Sequence, residues 1–403
     1  MSILRMTTAG ESHGPGEACI VEGIPSGLPL TRDEIDVDLA RRQRGYGRGD
    51  RMAIETDRCR FVAGVRHGRT LGSPICLLIE NGDYANWVSK MSPDPMSEET
   101  TSDMGRFTLP RPGHADLAGV AKYGHTDIRD VLERASARET VGRVAGGAVC
   151  KRLLQEAGVT VRARVLSIGG VRVAASNDMC RAEDIDWDAV EASPVGCEER
   201  AASDLMCARI DEARGAGESL GGVFEVWCWG VCPGVGGYAS MEDRLDGRLA
   251  GALASIPAIK GVQMGVAFDS ADEVGSRVHD PILLMHDGDR RWIGRNTNRA
   301  GGIEGGMTTG MPVVLRAAMK PIPTLTTPLA SVDIATLELS SAHVERSDVT
   351  AVPAARVVGE AMAAYVLAAA YLSKFGGDSV KAFAESVRSY EAGLEERGLW
   401  RRF

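Results

Sequence analysis

Glycine is concentrated along this chain rather than spread evenly. Gly45, Gly47 and Gly49 alternate with Tyr46 and Arg48; Gly234, Gly236 and Gly237 fall together; Gly301, Gly302, Gly305 and Gly306 flank Ile303 and Glu304. The clusters lie between apolar segments. The 48 glycines therefore mark tight turns and backbone that must approach something closely, not collagen or a disordered tract. Between the clusters, helix and strand patterns follow one another without regular βαβ alternation. That order favours an α+β fold over a doubly wound parallel sheet. No fixed-period repeat or low-complexity linker divides the 403 residues, so a single domain over residues 1–403 is expected.

Helix signals are clearest at Thr31 to Gln43, where Thr31 and Glu34 form a capping box and Gly45 follows as a stop. A long helical pattern from about Ile128 to Ala157 ends at Gly158. Ser240 and Asp243 suggest a helix to about Ser255. Pro353 begins a strongly apolar helix that stops at Gly376-Gly377, and a more polar helix runs from about Val380 to Arg397. Strand candidates are Ala18 to Val21, Ile75 to Ile79, Val159 to Ile168, Gly222 to Val231, Gly261 to Phe268 and Pro312 to Met319. Gly82 to Asp116, Asp287 to Met311 and Lys320 to Pro353 show no regular pattern, and long loops of this kind are often functional.

A formal net charge of −9 sets the surface against nucleic acid and anionic membrane, so an anionic ligand needs a local basic patch. The N-terminal MSILRMTTAGESHG has no apolar run of signal-peptide length. Ala361 to Leu372 is too short to span a bilayer and reads as buried helix. Nine scattered cysteines without a CxxC pair fit reduced thiols in a cytoplasm.

Basic patches occur in several places. Arg41, Arg42 and Arg44 close a helix, and Arg48 and Arg51 lie in the glycine-rich loop after it. Exposed arginines compensating the helix dipole would explain Arg41 and Arg44. The alternating glycines point instead to Arg48 projected into an anion site, where guanidinium matches phosphate and carboxylate geometry. Gly10-Glu11-Ser12-His13-Gly14 places a histidine between glycines. Ser12 and His13 are neighbours whose side chains point apart, so His13 reads as an acid or an anion donor rather than the base of a nucleophile pair. Arg111-Pro112-Gly113-His114-Ala115-Asp116 repeats the combination, although His114 alone could equally be an ordinary loop histidine. Arg134 and Arg138 are spaced to share a helical face, with Glu133 and Glu139 as counter-charges. Lys320-Pro321-Ile322-Pro323-Thr324 follows the Gly301–Gly306 cluster and a strand; glycine-rich backbone can cradle phosphate, but no Walker A motif is present. Arg346 and Asp348 set a cation beside a carboxylate. Gly234-Val235-Gly236-Gly237-Tyr238-Ala239 fits a dinucleotide-binding GxGxxA pattern, but Pro233 crowds the turn and the following acidic residue lies too far on.

In this order, the stretches GESHGPG, RRQRGYGRGDRM, LPRPGHAD, ERASARET, AIKGV, NRAGGIEGGMTTGMP, AAMKPIPTL and RSDVTAVPAARVVGEAM resemble the chorismate synthase family, bacterial type. The resemblance spans Gly10 to about Ser379. It implies a β-α-β sandwich with a helical layer between antiparallel sheets, assembled as a homotetramer. It also implies elimination of phosphate from enolpyruvylshikimate phosphate to give chorismate, with reduced FMN required and no net redox change. His13 then corresponds to the proton donor near the leaving phosphate, His114 to the histidine near the flavin, and Asp348 to the carboxylate assisting proton movement at flavin N5. Ser12, Arg42, Arg48, Arg111, Ser136, Arg138 and Arg346 correspond to substrate-binding positions. Arg134, Ala135, Ser136, Pro257, Ala258, Gly305, Lys320, Pro321, Ile322, Pro323, Thr324 and Arg346 match flavin-contact positions. Arg42 and Arg48 also match positions for NADPH, and an external flavin reductase is the other source of reduced cofactor. Pro257 stands where many relatives carry Gln or Asn, and Gln263 where Glu is common.

Overall fold

The computed structural model describes residues 4–48, 56–97, 104–173, 181–345 and 347–402. Arg346, Arg51 and Gly49 lie outside the described residues.

Two antiparallel sheets enclose a layer of helices, the α+β sandwich expected from the resemblance. The first sheet is built from β1 (Arg5–Ala9), β2 (Gly16–Glu22), β3 (Cys59–Ala63) and β4 (Ile75–Glu80), in the order β1-β2-β4-β3. In β4, Ile75, Leu77 and Ile79 are fully buried while the residues between them are not, the period of a strand with one face on a core. The second sheet comprises β5 (Thr160–Ile168), β6 (Val171–Arg172), β7 (Gly222–Trp229), β8 (Ile259–Met264) and β9 (Val313–Met319), in the order β8-β9-β7-β5-β6.

Between the sheets run α1 (Arg32–Gln43), α2 (Thr140–Glu156) and α3 (Val352–Phe375). Glycines set how closely these layers pack. A Cβ on Gly146 of α2 would meet Met6 Sδ at 2.5 Å and Cys19 Sγ at 2.8 Å in the first sheet, and one on Gly147 would meet Ala361 Cβ of α3 at 2.3 Å. Gly359 of α3 likewise leaves room for the Phe224 ring of β7. One hydrophobic cluster therefore runs from Leu77 through Val149 and Leu367 to Val226. By length and composition α3 could cross a membrane, but nearly all of it is buried inside the protein.

The capping box forms as expected: Thr31 N–H donates to Glu34 Oε2 at 2.7 Å, and Glu34 N–H donates to Thr31 Oγ1 at 3.4 Å. Other expectations need correction. The pattern from Ile128 to Ala157 is not one helix. It breaks at Ser136, which is extended (φ −64, ψ 148), into Arg129–Ala135, a 3-10 turn and α2. The helix expected from Ser240 begins at Leu245 and ends at Ala254. The strand expected to reach Phe268 ends at Met264, and Ala267–Ser270 is helical. Short hairpins occupy parts of the irregular stretches, at Leu283–Asp287 with Arg290–Gly294 and at Ala330–Val332 with Leu339–Ser341. The GxGxxA turn follows β7, whose neighbours are both antiparallel, and Gly236 bridges to Met307. No βαβ unit surrounds it, so the dinucleotide reading has no structural support there.

Candidate active site

The loop between β1 and β2 carries Ser12 and His13. Its entry requires glycine: Gly10 has φ +135, and a Cβ there would meet Gly16 O at 2.5 Å and Glu17 Oε2 at 2.6 Å. Asn81 Nδ2 donates to Gly14 O at 2.7 Å and fixes the far side of the loop. Glu133 holds the near side. Its main-chain oxygen accepts Ser12 N–H at 3.0 Å and its carboxylate accepts His13 N–H at 2.9 Å. The same carboxylate lies 2.9 and 3.0 Å from His13 Nδ1. Trp87 stacks on the imidazole with ring centroids 3.8 Å apart.

The break at Ser136 sends the flanking arginines to different places, so Arg134 and Arg138 do not share a helical face. Arg134 Nη2 donates to Thr8 O and Thr8 Oγ1, and Nη1 to Gly10 O. Arg138 Nε donates to Asn81 Oδ1 at 2.8 Å and Nη1 to Asp57 Oδ1 at 2.6 Å. Nor do the glutamates sit between them: Glu133 bonds His13 and Arg129, and Glu139 bonds Arg143. Ser136 Oγ donates to Ser12 Oγ at 3.2 Å and accepts Arg138 N–H, which ties the break to the histidine loop.

Arg42, at the end of α1, shares Asp57 with Arg138 and donates to Thr140 Oγ1 and Ala137 O. Burial, joined by like-charged Arg48 and Arg138 and opposed by Asp57, brings the Arg42 guanidinium down to about 10. It stays cationic at neutral pH. Arg48 Nε lies 3.1 Å from Asp348 Oδ2, an ion pair that also acts on Arg42. Among the described residues, Arg42 and Arg138 thus meet at Asp57, with the Arg48–Asp348 pair beside them.

A second group forms around Arg111. Its guanidinium donates to both oxygens of Asp116 and to Thr324 Oγ1 at 3.3 Å, and lies 3.5 Å from Glu345. His114 Nδ1 sits 2.5 Å from Asp116 Oδ1. Burial would raise the Asp116 carboxyl, but the bonds from His114 and Arg111 hold it well below the usual carboxylate range. Lys320 closes this wall: its Nζ donates to Gly113 O, and its N–H donates to Ala258 O at 3.0 Å. Ala258 has φ +69, a strained conformation for a residue with a Cβ. Ser219 Oγ fixes Ile322 O at 2.6 Å.

The groups are joined by side chains. Arg129 lies over the rings of both Trp87 and Phe107, Phe107 meets His343 edge-on at 4.5 Å, and His343 faces Glu345. The segment holding Glu345 and Asp348 reaches both groups. The structure therefore assembles His13, Ser12, Ser136, Arg42, Arg48, Arg138 and Asp348 in one network, and His114, Arg111, Ala258, Lys320 and Thr324 in its neighbour. Gly305 turns the Ile303–Glu304/Met307–Thr308 hairpin, whose contacts run to Gly236, Gly237 and Arg244; no described contact ties it to either group.

This arrangement carries the motifs of one family, and comparison with known proteins agrees. Residues 4–372 match the chorismate synthase family model. The chain belongs to the chorismate synthase family. A chorismate synthase of Desulforudis audaxviator (strain MP104C) is 54% identical over 392 residues, covering 96% of this chain and 97% of that relative. Chorismate synthase 1 of Bacillus thuringiensis (strain Al Hakam) is 51% identical over 388 residues, covering 96% and 98%. A crystal structure of chorismate synthase superposes with a TM-score of 0.77 at 40% identity and 98% coverage of both chains.

Asp57, Asn81, Trp87, Arg129 and Glu345 join these two groups although the sequence did not single them out. Asp57, Asn81 and Trp87 meet partners far away in the sequence, Arg129 and Glu345 have near partners as well (Glu133 and His343), and no local motif marks any of them. Of the two departures, Pro257 precedes an Ala258 whose contact with Lys320 is through the main chain, and Gln263 Nε2 donates to Gly265 O at 3.0 Å. Gln263 lies in a cleft of ≈ 350 Å³ on the outer face of the second sheet, with Arg172 and Arg316. A neighbouring cleft of ≈ 520 Å³ is lined by Asp269, Arg277 and Arg299. Neither cleft contains any residue of the two groups.

Proposed function

We propose that this chain catalyses the family's reaction, the flavin-dependent trans elimination of phosphate from 5-enolpyruvylshikimate 3-phosphate to give chorismate. That makes it a carbon–oxygen lyase of the shikimate pathway to aromatic amino acids. The observation that carries the reading is the gathering of Arg42, Arg48 and Arg138 around Asp57 and Asp348, beside a histidine held by a buried carboxylate. Guanidinium forks gathered beside an imidazole match the oxygens of an anionic ester.

The Arg111 wall fits a flavin. Gly113 has φ +83, and a Cβ there would stand 3.1 Å from Lys320 Nζ and in ordinary contact with Pro323. Lys320 is partly buried, which lowers its pKa, with Lys260 adding to the effect. Lys320 to Thr324, Ala258, Ser136, Ala135 and the half-exposed Arg134 would hold the cofactor, with Arg346, Pro257 and Gly305 as further contacts. Reduced FMN, when bound, supplies an electron-rich acceptor for the hydrogen lost from the ring.

The protein supplies orientation and protons. Arg42, Arg48, Arg111, Arg138 and Arg346 grip the phosphate and carboxylates, with Ser12 and Ser136 as hydroxyl donors. Neutralising the phosphate makes it a better leaving group, and His13 completes this by donating a proton as the C–O bond breaks. His114, oriented by Asp116, holds a proton at the flavin side; Asp348, held by Arg48, takes part in proton movement there. Arg42 and Arg48 are also the positions for NADPH if the protein reduces its own flavin; otherwise an external reductase serves it. The chain would work as one domain over residues 1–403, in a cytoplasmic homotetramer.

Anaerobic incubation with the ester and photoreduced FMN tests this. Phosphate release with no net flavin oxidation is expected. NADPH oxidised in step with turnover, or binding without phosphate release, would overturn the reading.

A further inference from the structure

We propose that Glu133 is the positioning residue of His13, fixing the imidazole with Nδ1 turned to its own carboxylate so that the proton given to the departing phosphate leaves from Nε2. The proposal rests on the assignment of His13 as proton donor. Glu133 is 3% exposed, and both its oxygens lie within 3.0 Å of Nδ1. A carboxylate can only accept, so the ring nitrogen facing it must carry a hydrogen in the neutral as well as the cationic imidazole. The same carboxylate accepts the main-chain N–H of His13 at 2.9 Å, so the ring and its backbone are tied to one residue.

The brace closes on itself. Glu133 Oε1 accepts Arg129 Nη1 at 2.8 Å, Arg129 lies 5.1 Å from the centroid of the Trp87 ring, and Trp87 stacks on the imidazole. The ring is thus held along one edge by charge and on one face by an indole. Burial would raise the Glu133 carboxyl, but its bonds from His13, together with Arg129, hold it below the usual range, so it remains an acceptor at neutral pH. In the chemical step the cationic imidazole passes its Nε2 proton to the phosphate oxygen while the C–O bond pair leaves with the phosphate, and the hydrogen lost from the substrate ring leaves its own bond pair behind as the new double bond. The product is neutral imidazole with Nδ1–H still bonded to Glu133, and proton and charge balance without rearrangement of the ring.

Ring-labelled nitrogen-15 histidine NMR of the full-length protein reads the tautomer, with His13→Gln assigning the signals. Neutral His13 is expected as Nδ1–H; an Nε2–H tautomer in the unaltered protein overturns the proposal. In Glu133→Gln the amide can donate to Nδ1, so the Nε2–H form should gain. There kcat should fall on the order of 10²-fold while KM for the ester moves less than about threefold. The double variant His13→Ala/Glu133→Gln should be no slower than His13→Ala alone. Additive losses would mean that Glu133 acts elsewhere, through folding or another group. If Glu133→Gln does not fold, Glu133→Asp keeps the charge one methylene shorter and should show the same tautomer with intermediate kcat. Wild-type turnover in His13→Ala would instead remove the donor role itself, a failure separate from that of the tautomer measurement.

Discussion

Replacing Glu17 by Gln should make the protein more stable at neutral and alkaline pH and leave it nearly unchanged near pH 4.5. Glu17 is on the core-facing side of β2, fully buried; its Oε1 has no hydrogen-bond partner and its Oε2 lies 3.4 Å from Arg134 Nη1. Burial pushes the carboxyl from 4.5 up to about 7, against the pull of Arg134 and Arg138 and with some help from Glu139 and Glu11. The folded protein therefore holds this proton more tightly than the unfolded chain. The stabilisation is complete below pH 4.5 and is lost as pH rises through about 7. At about 1.4 kcal/mol per pH unit, the loss reaches about 3 kcal/mol above pH 7, and the ion pair with Arg134 is already included in that figure. Glutamine has the shape of the protonated acid and cannot ionise, so it avoids the loss. Urea denaturation of both proteins at pH 5, 6, 7 and 8 gives the comparison. The stability difference should widen in favour of the variant up to pH 7 and then level off. A difference independent of pH, or one that narrows as pH rises, would refute the assignment of Glu17 as a buried acid neutral below pH 7.

Arg48→Ala should weaken ester binding by roughly 10- to 100-fold, the value of one or two charge-assisted hydrogen bonds. Calorimetric titration would show this with little change in melting temperature; unchanged affinity with a lowered melting temperature would make Arg48 structural. Gly147→Ala should destabilise by about 1–3 kcal/mol in chemical denaturation, because its Cβ would stand 2.3 Å from that of Ala361. A neutral result would mean that α2 and α3 slide apart easily. Glu360→Gln should cost about 3–5 kcal/mol, because its fully buried carboxylate meets Arg41, Lys151 and the Ala163 N–H. A loss below about 1 kcal/mol would show that Asp38 and Glu191 suffice for those cations.

Local chemistry made the helices legible. The reciprocal bonds of Thr31 and Glu34 mark the start of α1, and Pro353 and Gly376 bracket α3, because these signals act within one turn. The strands that followed apolar alternation, such as Ile75–Glu80, were legible for the same reason. Arg5–Ala9 was not: none of its residues is buried, and it becomes a strand by pairing with β2. The break at Ser136 was equally hidden. Nothing in the local composition opposes a continuous helix there; the extended backbone is held by Ser12, 124 positions earlier, and by the N–H of Arg138.

That break decides what the arginines can do. Had Ile128 to Ala157 been one helix, Arg134 and Arg138 would have lain side by side with Glu133 and Glu139 as local counter-charges, and the patch would have been neutral. With the chain turned at Ser136, Arg138 swings to Asn81 and Asp57, and Glu133 is taken up by His13. Asp57 then meets both Arg42 and Arg138. The sequence contains more acidic than basic residues, yet Arg42, Arg48 and Arg138 are gathered at one place. An anion with several oxygens is the partner that such a cluster of guanidinium forks fits, and the cluster comes from a backbone turn rather than from any count of charges.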